Sequence, residues 1–423
     1  MQSICQIFKI GNGPSSSHTM GPMRAAEFFK KRYPEARKYK VNLYGSLAAT
    51  GEGHLTNETL IRTLQPVETI LEKYPEIFLP YHPNGMIFEA FDAMDTKLGE
   101  WKIFSIGGGD IREEGASSNV VEKDKAFLGE DIYECTTMSE VLRWCEIHGR
   151  TLWEYVDMHE KPGYIDYLRE VWNVMQQGVE RGLSLEGILP GGLKLQRKAA
   201  QYNIKAQGYS RPLRNRGLIF SYALATAEEN AAGGRIVTAP TCGSAAVLPA
   251  VLYHCAQNYD FQESRILKGL ATAGLIANIV KTNASISGAE VGCQGEIGVA
   301  CSMASAATNQ IFGGTVHQIE YAAEIGLEHH LGLTCDPMCG LVQIPCIERC
   351  AFASVRAFDA NIYSTFSDGR HRVSFDNVIK VMKQTGHDLP SLYKETSQGG
   401  LALMNDMESL RIKEELDQKE SAL

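Results

Sequence analysis

The sequence predicts an α+β fold, in which an N-terminal α+β domain is followed by a mostly α-helical domain. Up to about residue 135, short runs that alternate apolar and polar residues stand among helical segments. From Thr136 onwards, long segments rich in Ala, Leu and Gly follow one another instead. A chain of 423 residues can form two separate cores. We therefore expect domains at 1–135 and 136–403, and a charged C-terminal tail at 404–423.

The first domain contains both strand and helix patterns. The stretch "YKVNLYGSLAAT" alternates and has one apolar face, which is typical of a half-buried strand. "KIFSIGGGDI" predicts a strand followed by a glycine loop, and "MRAAEFFKKRY" has the apolar spacing of a helix. Strands and helices therefore share this part of the chain.

The second domain consists of helical patterns. "TMSEVLRWCEIHG" begins with the capping residue Thr137 and ends at Gly149. "LIFSYALATAEENAAGG", "SRILKGLATAGLIANIVKTNA" and "VACSMASAATNQIFGG" are rich in small residues, which indicates helices packed closely around one another. The tail at 404–423 has the pattern of a solvated helix or a frayed end.

Composition excludes several classes of partner. A net charge of −9 argues against binding to nucleic acid or to an acidic membrane surface. Residues 1–17 lack a signal-peptide pattern, and the longest uncharged stretch contains Pro240 and Pro249, which suits a buried segment better than a membrane span. We therefore expect a cytoplasmic protein without a membrane partner, whose eleven cysteines are reduced thiols.

The cysteines suggest a metal centre. "LTCDPMCGLVQIPC" contains Cys335, Cys339 and Cys346 on proline-fixed loops, without the Cys-x-x-Cys pair of common zinc sites. Cys293 lies in a glycine-flanked turn before a helix, where a thiolate is favoured. Three loop thiolates can hold a 4Fe-4S cluster and leave one iron open to act as a Lewis acid. Each cysteine is also a good packing residue, and spacing leaves Cys339 and Cys350 open as ligands.

A polar loop stands near the N-terminus. "GNGPSSSHTMGPM" contains the consecutive polar residues Ser15, Ser16, Ser17, His18 and Thr19 between two Gly-Pro pairs. Side chains of these types can bind a carboxylate or transfer a proton, although serine-rich loops are also common as solvated turns.

Two further motifs offer polar side chains. His54 and His82 lie in Gly/Asn-rich turns of the same domain. Lys281 and Asn283 precede Cys293, where they either contact a substrate or form a solvated helix end.

Long motifs in one order then point to a family. They include "GPSSSHTMGPM", "EENAAGGRIVTAPTCGSAAVLPAVL", "NASISGAEVGCQGEIGVACSMAS", "HHLGLTCDPMCGLVQIPCIER" and "YKETSQGGLA". With these, the chain resembles the iron–sulfur-dependent L-serine dehydratases in their single-chain form. The resemblance implies a helical catalytic domain, a homodimer, and a 4Fe-4S cluster on Cys293, Cys335 and Cys346, with Cys339 as a neighbour. It implies conversion of L-serine to pyruvate and ammonia.

The resemblance also implies roles for the polar residues. The open iron would act on the serine hydroxyl while a base removes the α-proton. His18 and His54 would be the active-site histidines, with Ser16 and Ser17 as further catalytic residues. The implied substrate contacts are Ser15, Thr19, Thr241, Ser244, Lys281 and Asn283.

The C-terminal region departs from the family pattern. Single-chain relatives end in a cysteine shortly after the "GGLA" segment, and that residue is a removable ligand in the site. This sequence has no cysteine after Cys350. We therefore expect the enzyme to become active without a serine-dependent lag.

Three alternatives stay open at this point. A related lyase would act on L-threonine or L-cysteine, since one methylene is worth only about 1–3 kcal/mol of discrimination. A pyridoxal-phosphate dehydratase would use Lys9 and the "SIGGGD" loop. A redox sensor or electron carrier would use the same cluster without turnover, although carriers normally ligate all four irons.

Overall fold

The structure is a computed structural model that describes residues 1–116 and 130–404. Apart from Met404, the predicted tail at 404–423 lies outside the described residues. The described strands are β1 (Ile10–Asn12), β2 (Lys38–Tyr44), β3 (Glu68–Tyr74), β4 (Gly85–Phe91), β5 (Lys97–Ser105), β6 (Ile111–Arg112) and β7 (Arg235–Val237).

The described helices fall into two groups along the chain. Three short helices accompany the N-terminal strands, namely α1 (Gly21–Arg32), α2 (Gly45–Ala49) and α3 (Thr56–Leu64). The others are α4 (Met138–His148), α5 (Leu152–His159), α6 (Tyr164–Ser184), α7 (Ala199–Gln207), α8 (Arg211–Ala231), α9 (Val247–Tyr259), α10 (Glu263–Asn283), α11 (Gly288–Val291), α12 (Ile297–Phe312), α13 (Val316–Glu328), α14 (Cys346–Thr365) and α15 (Phe375–Asp388).

The N-terminal domain is built on a five-stranded mixed sheet in the order β3-β2-β4-β5-β6. Strands β2 and β3 are parallel, and the other neighbours are antiparallel. The strand predicted for "YKVNLYGSLAAT" is confirmed only over its first half, where Tyr39, Val41 and Leu43 are buried. The second half is wrong as a strand, because it forms α2 (Gly45–Ala49). The three buried residues of β2 pack in one cluster with Phe29 of α1 and Leu60 of α3, so these helices cover one face of the sheet.

Helix α12 lies at the centre of the helical domain, where α9, α10, α13 and α14 pack around it. Small residues permit this close packing: a Cβ on Gly326 of α13 would lie 2.8 Å from the Ser302 Cα of α12. The hydroxyl of Ser302 donates to the Ala323 carbonyl at 2.7 Å, so this buried polar group is satisfied. The prediction of close-packed helices is confirmed here.

The capping signals of α4 are confirmed as well. Thr137 and Glu140 form a reciprocal capping box, and Gly149 ends the helix with a φ of 61°.

The first residues of the chain belong to the helical core. Strand β1 pairs antiparallel with β7, and Ile4, Ile7 and Phe8 pack in the large hydrophobic cluster of the helices. The chain therefore enters the helical core before it forms the N-terminal sheet. The boundary expected at residue 135 stays a prediction.

The sheet and the helical bundle together confirm the α+β fold class. Among the described residues, none of the helices has the length and apolarity that a membrane crossing requires.

Candidate active site

Three cysteines lie at loops or helix starts of the helical domain. Cys293 follows Gly292, whose φ of 74° favours glycine, and lies just before α12. Cys335 is in the loop between α13 and α14, as predicted. The loop position predicted for Cys346 is wrong, because Pro345 is the N-cap of α14 and Cys346 is the first residue of that helix. All three are buried. The ligand atoms of Cys293, Cys335 and Glu296 lie within 4.8 Å of one another, and this group does not include Cys346.

The Glu296 carboxylate joins two of these thiols. The Sγ atoms of Cys293 and Cys335 each lie 3.9 Å from its Oε2. Its Oε1 accepts a hydrogen bond from Thr241 Oγ1 at 2.7 Å, and that hydroxyl is 3.1 Å from Ser244 Oγ. Thr241 and Ser244, both predicted substrate contacts, are therefore connected to the thiols of Cys293 and Cys335 through the Glu296 carboxylate. Sequence analysis missed Glu296, although it follows Cys293 by three residues.

The surroundings raise the pKa of Cys335, Cys346 and Glu296 and so favour their protonated forms. Burial, followed by the charge of Cys293, raises the pKa of Cys346 well above its usual value. The pKa of Cys335 is raised chiefly by its hydrogen bond with Cys293 and then by burial. Burial also raises the pKa of Glu296. Loss of these protons requires a compensating cation, and thiolates prefer soft transition metals. The donor set therefore fits a thiolate-bound metal centre.

The serine-rich loop presents His18. Residues Ser16–Met20 form a π-helical turn that is capped by Ser15, whose hydroxyl accepts from the His18 backbone N–H at 3.1 Å. The Ser46 hydroxyl donates to the Glu395 carbonyl at 2.6 Å, so its oxygen accepts from His18 Nε2 at 2.9 Å. His18 Nδ1 then carries the lone pair and accepts from Ser17 Oγ at 2.9 Å.

His54 lies beside His18, with the two ring centroids 4.4 Å apart. The Thr19 hydroxyl donates to the His54 carbonyl at 2.7 Å, which ties the two loops together. Burial lowers the pKa of His54 to about 3. Burial and then His54 lower the pKa of His18 well below its usual value, so both rings are neutral at pH 7. Neither ring nitrogen of His54 has a hydrogen-bond partner among the described residues.

Glu395 is the second residue that sequence analysis missed. Its N–H donates to the Cys335 carbonyl at 2.8 Å, and the Cys335 N–H donates to the Tyr393 carbonyl at 2.8 Å. This pairing places Glu395 Oε1 3.4 Å from His18 Nδ1. Because burial raises the pKa of Glu395 and lowers that of His18, the contact is between neutral groups. Glu395 thus connects the histidines to the cysteine loop, a link that only the motif "YKETSQGGLA" could have suggested.

Lys281 and Asn283 lie apart from the groups above. Lys281 Nζ contacts Asp110 Oδ2 at 2.6 Å, and the same carboxylate is paired with Lys9. Asn283 donates to the carbonyls of Thr136 and Ile279 at 2.7 and 2.8 Å. These contacts join chain segments at the domain junction, and a substrate role for either residue stays a prediction.

Most of the predicted polar residues are thus brought together. Ser15, Ser17, His18, Thr19 and His54 form one hydrogen-bonded unit, whereas the Ser16 hydroxyl is buried and makes none of the described hydrogen bonds. Cys339, which the resemblance treats as a neighbour, is exposed.

Comparison with known proteins identifies the family to which this chain is similar. Residues 112–402 match the family model described as serine dehydratase alpha chain, and residues 3–77 and 65–116 match the model described as serine dehydratase beta chain. An L-serine dehydratase of Streptomyces coelicolor is 42% identical over 95% of this chain and 98% of its own. L-serine dehydratase 1 of Escherichia coli strain K12 is 38% identical over 95% of this chain and 99% of its own.

A third relative, an L-serine dehydratase of Helicobacter pylori, is 37% identical over 95% of this chain and 98% of its own. The two family models together cover both the sheet and the helical bundle. The chain belongs to the serine dehydratase family of lyases and carries the alpha-chain and beta-chain regions on one polypeptide.

Proposed function

We propose that this protein converts L-serine to pyruvate and ammonia, with a 4Fe-4S cluster held by Cys293, Cys335 and Cys346. The observation that supports the proposal is that Glu395 links the Cys335 loop to the buried pair His18 and His54, while Glu296 links Cys335 to Cys293. The relatives named L-serine dehydratase support the choice of substrate. When bound, a cluster with three protein ligands supplies an open iron that acts as a Lewis acid on the substrate hydroxyl.

His54 is the base in this proposal. Both nitrogens of His18 are engaged, by Ser17 and Ser46, whereas the two nitrogens of His54 have no partner among the described residues. A neutral imidazole has a lone pair that can take the α-proton of the substrate. The carboxylate of bound serine would raise the low pKa of His54 and so make it a stronger base.

His18 and the loop around it position the substrate. Serine hydroxyls hydrogen-bond to both ring nitrogens of His18. In this proposal the His18 ring therefore holds His54 in position and does not transfer a proton. The Ser16 hydroxyl is the loop hydroxyl left for a substrate carboxylate, because those of Ser15, Ser17 and Thr19 are used within the loops. Glu395 Oε2 is buried without a described partner and can accept from the substrate ammonium.

The reaction balances without a further reactant. Loss of the α-proton and the β-hydroxyl releases water and leaves aminoacrylate. This tautomerises to the imine, which takes up one water to give pyruvate and ammonia. The burial of the histidines and thiols keeps bulk water away during the first step.

Anaerobic purification followed by iron, sulfide and pyruvate assays tests the proposal. We expect about four irons per chain, pyruvate formation from L-serine, and loss of activity in air. L-Threonine and L-cysteine as parallel substrates test the related lyases, and an aldimine absorption band removed by hydroxylamine would indicate pyridoxal phosphate instead. Bound cluster without any turnover would indicate a redox sensor and overturn the proposal.

Single cysteine variants test the ligands. Cys293→Ala, Cys335→Ala and Cys346→Ala should each lose iron, and pyruvate formation should fall by about two orders of magnitude or more. Cys339→Ala is the matched control, because this exposed thiol lies between two of the ligands in the chain. Full activity in all three ligand variants would contradict the proposal.

A further inference from the structure

We propose that Arg349 is a positioning residue for the metal centre, which fixes the Cys335 loop against the start of α14 and holds a positive charge beside the proposed ligands. Arg349 follows Cys346 by three residues in α14, so the two side chains lie on the same side of this helix. The inference rests on the cluster of the proposed function and concerns how this chain holds it.

The Arg349 guanidinium contacts both residues that flank Cys335. Its Nη1 donates to the Thr334 carbonyl at 2.6 Å, and its Nη2 donates to Asp336 Oδ1 at 3.3 Å. The Thr334 hydroxyl donates to the same Asp336 oxygen at 3.0 Å. Because a guanidinium presents its donors in a rigid, planar fork, these bonds determine where the Cys335 loop lies relative to α14.

Asp336 extends this connection to the C-terminal end of the described residues. Its Oδ2 accepts a hydrogen bond from the Leu401 N–H at 2.7 Å, and the Glu395 N–H donates to the Cys335 carbonyl. Asp336 is buried, and Arg349 supplies the counter-charge that a buried carboxylate requires. The Cys335 loop is therefore held by α14 on one side and by the segment after Tyr393 on the other.

The charge of Arg349 complements the centre that the thiols would hold. A 4Fe-4S cluster on three thiolates is anionic, and Glu296, which contacts two of the thiols, is an acid. Burial, followed by the charge of Cys293, raises the pKa of Cys346, whereas the Arg349 guanidinium acts in the opposite direction. The Arg349 side chain is only 17% exposed, so solvent ions screen its charge weakly. Since net charge helps to set the potential of an iron–sulfur cluster, a cation here favours reduction and opposes oxidation.

Redox titration of the anaerobically purified protein tests the role of this charge. In Arg349→Gln the cation is lost, and we expect reduction of the cluster to become about tenfold less favourable, a shift of about 59 mV to more negative potential. Arg349→Lys keeps the charge and should keep the potential of the parent. Arg356→Gln is the matched control, because Arg356 lies about two turns further along α14 and donates to the His329 carbonyl instead.

Iron release to a chelator in the absence of air tests the role of the geometry. Arg349→Gln and Arg349→Lys should both release iron about tenfold faster than the parent or more, because neither side chain has the fork that holds the Cys335 loop. Arg356→Gln should release iron at the rate of the parent. The circular dichroism spectra of the three variants should match that of the parent, which separates loss of iron from loss of the fold.

The outcomes separate this inference from the proposed function. A parent protein that holds no cluster would overturn both. With a cluster in the parent, an Arg349→Gln variant of unchanged potential, or an Arg349→Lys variant whose potential shifts as far, would overturn the inference alone. An Arg349→Lys variant that retains iron as firmly as the parent would do so as well, and this measurement decides if Arg349→Gln binds no iron.

Discussion

His18 shows how one side chain is oriented by residues far apart in the chain. Ser17 is its neighbour in sequence, whereas Ser46 lies on α2 and receives its own orientation from the Glu395 carbonyl. Three hydrogen bonds therefore fix which ring nitrogen carries the proton. The His54 ring, whose centroid lies 4.4 Å away at an interplanar angle of 58°, has no such partners among the described residues.

Substitution of His54 should affect turnover rather than metal content. His54→Gln removes the proposed base, and we expect kcat to fall by about 10²- to 10⁴-fold with KM changed only a few-fold. Iron per chain should stay as in the parent, because the proposed ligands are the thiols of Cys293, Cys335 and Cys346. His317→Gln, at an exposed position on α13, is the control. Parent-like turnover in His54→Gln would show that another group takes the α-proton.

His254 should make stability depend on pH. It is buried in α9, its Nε2 has no partner among the described residues, and burial lowers its pKa to about 4. The unfolded chain takes up this proton near pH 6.5, so stability is lost as the pH falls from 6.5 towards 4. At pH 5 the loss from this residue is about 2 kcal/mol.

Thermal melting of His254→Phe measures this loss of stability at low pH. The change in Tm between pH 7 and pH 5 should be smaller in the variant than in the parent, because phenylalanine does not titrate. The ring faces Phe358 with 5.5 Å between centroids, so an aromatic replacement suits the site. Equal pH dependence in both proteins would show that His254 has an ordinary pKa.

At the scale of the elements, local patterns predicted the helices better than their ends. The motif "SRILKGLATAGLIANIVKTNA" matches α10, and α4 begins and ends at its predicted caps. Helix α8 begins at Arg211, seven residues before the predicted segment. Pro212 lies in its first turn, where a proline removes no intrahelical hydrogen bond, so the helix can begin there. Periodicity reports which face is buried, but it does not report how closely two helices approach.

The contact between α12 and α13 should be sensitive to a single methyl group. In Gly326→Ala the new Cβ would lie 2.8 Å from Ser302 Cα and 2.9 Å from its backbone nitrogen, so backbone must shift. We expect the free energy of unfolding to fall by about 1–3 kcal/mol. Gly178→Ala in α6 is the control, since its Cβ meets nothing within 4 Å and should stabilise the helix by about 0.5–1 kcal/mol. Chemical denaturation of both variants measures the change in the free energy of unfolding. A Gly326→Ala protein as stable as the parent would refute the close contact between α12 and α13.

At the scale of the whole molecule, a buried ionic cluster joins the two domains. Asp110 follows the glycine loop after β5, and it pairs with Lys9 near the N-terminus and with Lys281 of α10. Arg24 of α1 lies 3.7 Å from the same carboxylate. Burial alone would raise the pKa of Asp110, but Lys281 and Lys9 hold it well below its usual range. The Asp110 carboxylate therefore pairs with cations from three separate segments of the chain.

Loss of this carboxylate should destabilise the protein strongly. Asp110→Asn leaves buried cations without their counter-charge, and we expect a loss of about 3–5 kcal/mol in the free energy of unfolding. Asp95→Asn breaks an exposed pair with Lys38 and should cost less than about 1 kcal/mol. Chemical denaturation of the two variants measures the difference. Similar midpoints for both would mean that the junction is held by apolar packing instead.

The sequence predicted the fold class because helix and strand patterns depend on residues close together in the chain. Spacing left Cys339 and Cys350 open as ligands, so the choice of Cys293, Cys335 and Cys346 came from the family resemblance and stays a prediction. The sequence did not predict Glu296 as the residue that joins two thiols, or Glu395 beside His18. Those contacts depend on how separate loops meet, and the bond between Ser46 and Glu395 spans 349 residues. For the same reason, the sequence did not show that Lys281 pairs with Asp110.

The pairing of Glu395 with Cys335 has a consequence for biosynthesis. Ser46 and His18 leave the ribosome early, whereas the segment that locks them emerges 349 residues after Ser46. The contacts of Glu395 with Ser46 and His18 can therefore form only after most of the described chain has been synthesised. The His18 ring thus receives its final orientation only when this late segment has packed against the N-terminal loops.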